Sequence, residues 1–303
     1  MTGVLAGRRL AILVTWMKRL FIGLAIGFLL YFGWHSRALL INIVASATLP
    51  GLAAAVAFWL LMHLLSPLFA TIVFRGSGFP LGYGKALNIH LVNLPARYIP
   101  GGVWHTFGRV VAFRNLGIDA GRISLFVVLE NVVAAAVAFL LGGGLLFVYR
   151  GADHWGSIAL LSAVVSGLLL LILPLLLRMR ISGRRMGATT VKHYLGSIAV
   201  VALIWCVTSA AFVAFVASFE ALPLQSRLPE TAAAYLFSWG VGYIAIFAPQ
   251  GVGVFELMAG ELLRGSLPLG GVAVLLAGFR VVIFVADLLA WLAGRLIALR
   301  NRG

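Results

Sequence analysis

The sequence predicts an all-α integral membrane protein, with about six full spans and two re-entrant helical hairpins arranged as an inverted-topology repeat. Three observations carry that expectation. The first is composition: 62% of the 303 residues are hydrophobic and 10% are charged, with a mean hydropathy of +1.08. The second is the set of uncharged runs 38–74, 155–177 and 196–219, each longer than the ~18 residues that mark a candidate spanning helix. The third is a Pro/Gly pattern that occurs twice with its charges exchanged. Pro100-Gly101-Gly102-Val103 is followed by Arg109 and then Glu130, and Pro249-Gln250-Gly251-Val252-Gly253 is followed by Glu256 and then Arg280. Pro100 to Glu130 is 30 positions and Pro249 to Arg280 is 31. Broken apolar segments at corresponding places in two halves point to a site built from discontinuous helices.

The elements follow in order. Arg8, Arg9, Lys18 and Arg19 surround an apolar stretch, and Gly33-Trp34-His35 makes a poor cleavage site. The segment is therefore expected to stay as an uncleaved first span at 20–34. The run 38–74 would make a helix of ~55 Å, against a hydrocarbon core of ~30 Å. Pro50-Gly51 is expected to break it, leaving a span at 52–74 and an interfacial or half-membrane piece at 39–49. Further spans are expected at 123–149, 155–177, 196–219 and 271–291. The segments 87–113 and 231–263 are apolar but interrupted by Pro and Gly. Irregular backbone at membrane depth survives only where protein buries it or a cavity wets it, so both are read as re-entrant hairpins. No long polar stretch or linker interrupts the chain. It is read as one membrane domain over 1–303, with one repeat at about 52–150 and the other at about 194–295.

Charge distribution orients this layout. The net charge of +15 would suit nucleic acid, but the basic residues are strung between apolar spans, which excludes that partner and fits the positive-inside rule. With the N-terminus inside, sixteen of the 23 Lys and Arg fall on the inner side, and Arg37, Arg150, Arg227 and Arg264 on the outer. Arg97, Arg109 and Arg280 fall within embedded segments. Both termini are thus expected in the cytoplasm, with anionic lipid as a partner of the basic fringe. The first hairpin, between Lys85 and Arg114, enters from inside, and the second, between Glu230 and Arg264, from outside. The single cysteine, Cys206, excludes an internal disulfide.

Several embedded residues carry chemistry. A charge near bilayer centre costs at least ~2.5–3.5 kcal/mol, so it is retained when it pairs, meets water or works. Glu130 lies inside a span; Arg280 and Asp287 lie inside the last one, seven apart and so on one face. They form either a structural lock between helices or a functional polar pathway. Arg109 and His105 are four apart and share a face if the arm after Pro100-Gly101-Gly102 is helical. That arm would begin with free N–H groups and a positive dipole end. With Arg97 and Arg109 nearby, a phosphate is the favoured ligand, against the alternative of arginines reaching to lipid phosphates. Glu256, after Gly251-Val252-Gly253, is free to pair with Arg109, to pair with Arg280, or to exchange protons. His63 is read as a satisfied polar residue, and His90 and His105 lack metal-ligand spacing. No nucleotide-binding loop, HExxH or nucleophile elbow is present. No cofactor, metal or catalytic residue is expected.

Ala96-Arg97-Tyr98-Ile99-Pro100-Gly101-Gly102 resembles the "KYIPG" region of the lysylphosphatidylglycerol synthase transmembrane (flippase) domain family. Pro249-Gln250-Gly251-Val252-Gly253-Val254-Phe255-Glu256 resembles its "P-G-G-x-G-x-x-E" segment, Glu130 its intramembrane glutamate and Arg280 its late-span arginine. Two positions depart from the pattern. Gln250 stands for a glycine, and Asn131 for the arginine that usually follows the glutamate, which removes a cation beside Glu130. The resemblance covers about residues 10–300. It implies a lipid flippase of the bacterial inner membrane, not an enzyme, that moves lipid between leaflets; Arg97, Arg109 and the Gly101-Gly102 backbone make an anionic lipid the expected cargo. The soluble aminoacyltransferase of bifunctional members is not expected here. Stand-alone members are similar to helpers in lipid, polyprenyl-glycan or hopanoid pathways. A non-transporting scaffold for a glycosyltransferase or lipid-modifying enzyme is the competing class, resting on the basic loop 178–192. The oligomeric state has no signature in the sequence.

Overall fold

The computed structural model describes residues 45–99, 104–177, 188–245, 251 and 253–300, with isolated positions at 34, 37 and 41. The expected span at 20–34 apart from position 34, positions 39, 40 and 42–44 of the piece at 39–49, and most of the basic loop 178–192 lie outside the described residues. The chain is almost entirely helical, with no strand among the described residues. The helices are α1 (Leu49–Gly76), α2 (Tyr83–Val92), α3 (Trp104–Asn115), α4 (Ala120–Arg150) and α5 (His154–Leu177). They continue with α6 (Ala188–Ala217), α7 (Leu228–Ile244), α8 (Val254–Leu262) and α9 (Leu269–Arg300). Short 3₁₀ turns occupy Leu94–Tyr98 and Pro223–Arg227. Five helices, α1, α4, α5, α6 and α9, are long and apolar enough to cross a membrane. This is a multi-pass membrane protein. The other four have 9 to 17 residues, short of the ~20 a crossing needs. They fall in the two segments that Pro and Gly interrupt.

Local sequence sets the helix ends. Thr48, in extended conformation, precedes α1, and Pro50 sits in its first turn, where a missing N–H costs nothing. The break expected at Pro50-Gly51 is thus a helix start. Asp119 caps α4 by accepting the Arg122 backbone N–H at 3.1 Å, a bond that holds its carboxyl below the usual carboxylate range. A positive φ of 86° at Gly253 opens α8, a conformation that glycine adopts without strain.

Packing repeats across the two halves. α1 lies along α6, and the two run antiparallel. Thr48 N–H donates to Ser218 O at 2.7 Å at one end, and Gly76 abuts His193 at the other. α4 packs on α7 and α6, as α9 packs on α2 and α1. Glycines permit the closest approaches. A Cβ on Gly142 would lie 2.5 Å from the Phe237 backbone of α7, and one on Gly143 would lie 2.4 Å from Ala159 O of α5. Small residues of this kind let helices pack where lipid removes the hydrophobic drive. Aromatic clusters fill each half: Phe74, Phe113 and Phe126 in the first, Phe212, Tyr235, Phe255 and Phe279 in the second. α5 packs mainly on α4 and is the least buried span, with Leu161 and Leu171 exposed. Arg150, Arg227 and Arg264 gather around one surface pocket.

Candidate functional site

The exchanged charges meet as two ion pairs, one in each half. In the first, α3 carries Arg109 to α4, where its Nη1 and Nη2 donate to Glu130 Oε1 and Oε2 at 2.6 and 2.7 Å. This two-pronged geometry is the strong form of the Arg–carboxylate pair. Arg109 supplies the cation that Asn131 does not, and Asn131 instead donates to Val127 O at 2.7 Å. In the second half, Glu256 on α8 accepts Arg280 Nε and Nη2 on one oxygen at 2.9 and 2.7 Å. Its other oxygen accepts the Gly253 N–H at 2.6 Å. Of the partners open to Glu256, the fold selects Arg280, not Arg109. Each arginine also lies over a ring of its own half, Arg109 over Phe126 at 5.4 Å and Arg280 over Phe255 at 6.0 Å.

Asp287 does not join Arg280, despite sharing its helix. It is 2% exposed and takes four donors from the first half. Trp59 Nε1 at 3.1 Å and His63 at 2.8 Å reach Oδ1; Arg97 Nη1 at 3.1 Å and Tyr98 Oη at 3.0 Å reach Oδ2. A carboxylate only accepts, so His63 Nε2 carries the proton of that bond. In neutral His63, Nδ1 is then an acceptor, and it meets His90 Nε2 at 3.0 Å. The His90 ring in turn lies edge-on to His105, with centroids 5.8 Å apart. Asp287, His63 and His90 form one buried, hydrogen-bonded file across α9, α1 and α2, with half-buried His105 of α3 in ring contact at its end.

A cavity of about 240 Å³ lies between the halves, open on one side. α1, α2, α3 and α4 wall one side; α6 and α7 wall the other. His90, Arg97, His105, Arg109 and Glu130 face it from the first half, Thr208, Tyr235, Trp239 and Tyr243 from the second. Several of these groups are incompletely satisfied. His105 Nε2 and Arg109 Nε are buried without a hydrogen-bond partner among the described residues. Tyr235 Oη and Trp239 Nε1 interact electrostatically, yet form no bond of good geometry. Buried polar atoms of native proteins are nearly always paired, so the two unpartnered nitrogens, on His105 and Arg109, mark the cavity as a place for a polar occupant.

The sequence-predicted residues divide accordingly. Arg97, His105, Arg109 and Glu130 converge on the cavity; Glu256 and Arg280 pair beside it, and Asp287 lies behind it. Gly251, at φ 68°, and Gly253, at φ 86°, shape the connection between α7 and α8. A Cβ on Gly251 would lie 2.9 Å from Gly242 Cα. Pro100, Gly101, Gly102 and Pro249 lie outside the described residues. Arg97 and Arg109, expected to meet a phosphate, each hold a carboxylate. Sequence reasoning passed over Trp59 and the aromatic wall, weighed His90 only as a metal ligand and Tyr98 only as part of a motif, and took His63 as a satisfied polar residue. The spacing of Trp59, His63 and Ser66, one helical face within an uncharged run, was the available signal. No group of three His, Cys, Asp or Glu among the described residues is arranged to hold a metal ion. A scan against protein-family models finds no match, and neither does a comparison with curated proteins.

Proposed function

We propose that this protein is a lipid transporter of the bacterial cytoplasmic membrane, passing an anionic, phosphate-type headgroup between leaflets through the cavity between two inverted repeats. The observation that carries the reading is the incompletely satisfied polar lining of an open cleft in an otherwise apolar bundle. Structural ion pairs alone would leave no such surface. The antiparallel contact of α1 with α6 and the mirrored packing of the rest support the inverted repeat. The short helices α2–α3 and α7–α8 fit re-entrant hairpins. Arg150, Arg227 and Arg264, all expected outside, share one end of the bundle, in keeping with cytoplasmic termini. The resemblance to the flippase domain family points the same way.

Chemically, Arg109 and Glu130 hold each other in the resting site, and Arg97 is held by Asp287. An entering phosphate competes with those carboxylates for a guanidinium fork of the same geometry. The cavity is sized for a headgroup, with acyl chains left in lipid. The test is leaflet exchange by purified protein in vesicles of phosphatidylethanolamine and fluorescent phosphatidylglycerol, read as the fraction of label quenched by an impermeant reductant. Exchange above protein-free vesicles that falls at least tenfold in Arg109→Ala is expected. Exchange equal in the wild type, Arg109→Ala and Glu130→Gln would remove the cavity from the pathway.

A further inference from the structure

We propose that the pocket at the end of the bundle read as outer binds a zwitterionic phospholipid headgroup of the phosphatidylethanolamine class, which bridges the two halves there. The inference goes beyond the transport reading and does not depend on it. Arg150, in this pocket, lies twenty residues along α4 from Glu130 in the midplane cavity, about 30 Å at 1.5 Å per residue.

The pocket lies at headgroup depth. α4 and α5, both of spanning length, join through a turn at 151–153, so that turn stands at a membrane surface. Tyr149 and Trp155 flank it and line the pocket; amphipathic rings of this kind sit at the membrane–water interface. The pocket measures about 600 Å³, the scale of a small-molecule site. Within about two turns of it on the same two helices, Leu145, Val148, Ile158 and Leu161 are exposed. They offer an apolar surface to the acyl chains of a lipid whose headgroup occupies the pocket.

Its lining carries both signs in equal number: Arg150, Arg227 and Arg264 against Asp153, Glu230 and Glu261. One pair is framework. Arg150 Nε and Nη2 hold Asp153 Oδ2 at 2.8 and 2.7 Å, while Arg150 Nη1 donates across the halves to Leu262 O at 3.2 Å. Asp153 Oδ1 accepts the Gly156 N–H at 2.6 Å and caps α5. The other two pairs are local, each between residues three apart. Arg227 meets Glu230 at 3.7 Å, beyond hydrogen-bond reach. Arg264 pairs with Glu261, but its side chain is 74% exposed. Exposed pairs of this kind hold weakly and yield to a competing ligand.

Charge complementarity selects the class of headgroup. Glu261 stands in the last turn of α8, where the carbonyl end of the helix is already negative, so its natural partner is a cation. A phosphate reached by Arg227 and Arg264 gives both guanidiniums an oxyanion, and an ammonium reached by Glu230 and Glu261 gives both carboxylates a cation. Phosphatidylethanolamine carries both groups on one short headgroup. A purely anionic headgroup would face the carboxylates, and a purely cationic one the guanidiniums, like-charge contacts that cost affinity. Ordinary solvated pairs would be spread over the surface. These come from the α4–α5 turn, the start of α7 and the α8–α9 connection, and they converge on one concavity. A headgroup there ties the halves together beside the Arg150–Leu262 bond.

The test uses purified full-length protein in detergent, titrated with dihexanoyl-phosphatidylethanolamine or dihexanoyl-phosphatidylglycerol. The rise in melting temperature, followed by tryptophan fluorescence, gives each affinity. The wild type should bind the ethanolamine lipid about two- to fivefold more tightly, the worth of one exposed ion pair. Glu261→Gln should abolish or invert that preference, because the pocket gains a net positive charge. Arg264→Gln should weaken the ethanolamine lipid by a similar factor. Glu230→Gln reads the same inversion if Glu261→Gln does not elute as a monodisperse species. The midplane cavity is the same in all of these proteins, so differences between them report the outer pocket. Glycerophosphoethanolamine, the headgroup without its chains, should bind at least about tenfold more weakly; equal affinity would overturn a lipid as the occupant. A wild type without preference for the ethanolamine lipid, or a preference that none of these substitutions alters, would overturn the site. Either failure leaves the transport reading standing, and a failure of leaflet exchange leaves this site standing.

Discussion

Replacing Glu130 by alanine strands the Arg109 guanidinium, whose side chain is 7% exposed. Breaking a buried pair by removing one partner costs about 3–5 kcal/mol, chiefly because the remaining charge is uncompensated. At about 2–4 °C per kcal/mol, the apparent melting temperature should fall by roughly 6–20 °C. The two halves should respond in mirror image. In the first half the deeper partner is the arginine; in the second it is Glu256, at 6% against 28% for Arg280. The more damaging single substitution is therefore Glu130→Ala in one half and Arg280→Ala in the other. Arg264→Ala, on a side chain 74% exposed, is the control and should stay within about 0.5 kcal/mol. The assay is thermal unfolding of purified protein in one detergent, followed by tryptophan fluorescence, for each single variant and each double. The double variants should cost less than the sum of their singles by about 0.5–3 kcal/mol. Strictly additive losses, or Glu130→Ala melting within 2 °C of the wild type, which is about 1 kcal/mol or less, would refute the coupling.

Three further outcomes follow from the packing. Gly142→Ala should lower the melting temperature through a clash with the Phe237 backbone at 2.5 Å, worth about 1–3 kcal/mol; Gly144→Ala, with nothing within 4 Å, should be neutral or slightly stabilising. Gly251→Ala, at φ 68° and 2.9 Å from Gly242 Cα, should destabilise by at least about 1–3 kcal/mol, read in the same assay. Trp59→Phe keeps the edge contact with Phe279 at 5.7 Å but removes a donor to a buried carboxylate. It should cost about 1.5–3 kcal/mol, and full stability would show that Asp287 does not need that bond.

The long helices were legible because uncharged runs of spanning length have one economical fate in lipid. The short, interrupted helices were legible because Pro and Gly break an apolar pattern at matching places. The exchanged charges identified both ion pairs as candidates, but not the pairing. Glu256 had two arginines in view, and the missing cation at Asn131 suggested that Glu130 lacked a local partner; Arg109 arrives from the preceding helix instead. Asp287 shows the limit most clearly. Its seven-residue spacing from Arg280 implies a shared face, yet its partners are set by tertiary packing, with Trp59 lying 228 positions away. Nothing local to Asp287 encodes that approach. The cavity was illegible for a related reason: its aromatic wall reads, residue by residue, as ordinary apolar helix.

The most direct measurement of the central claim is a structure of the protein in nanodiscs containing phosphatidylglycerol. The account predicts headgroup density in the cavity between the halves, with a phosphate within hydrogen-bond reach of the Arg97 or Arg109 guanidinium and its carboxylate partner displaced. Lipid density confined to the outer surface, with both ion pairs intact and the cavity filled only by water, would contradict it.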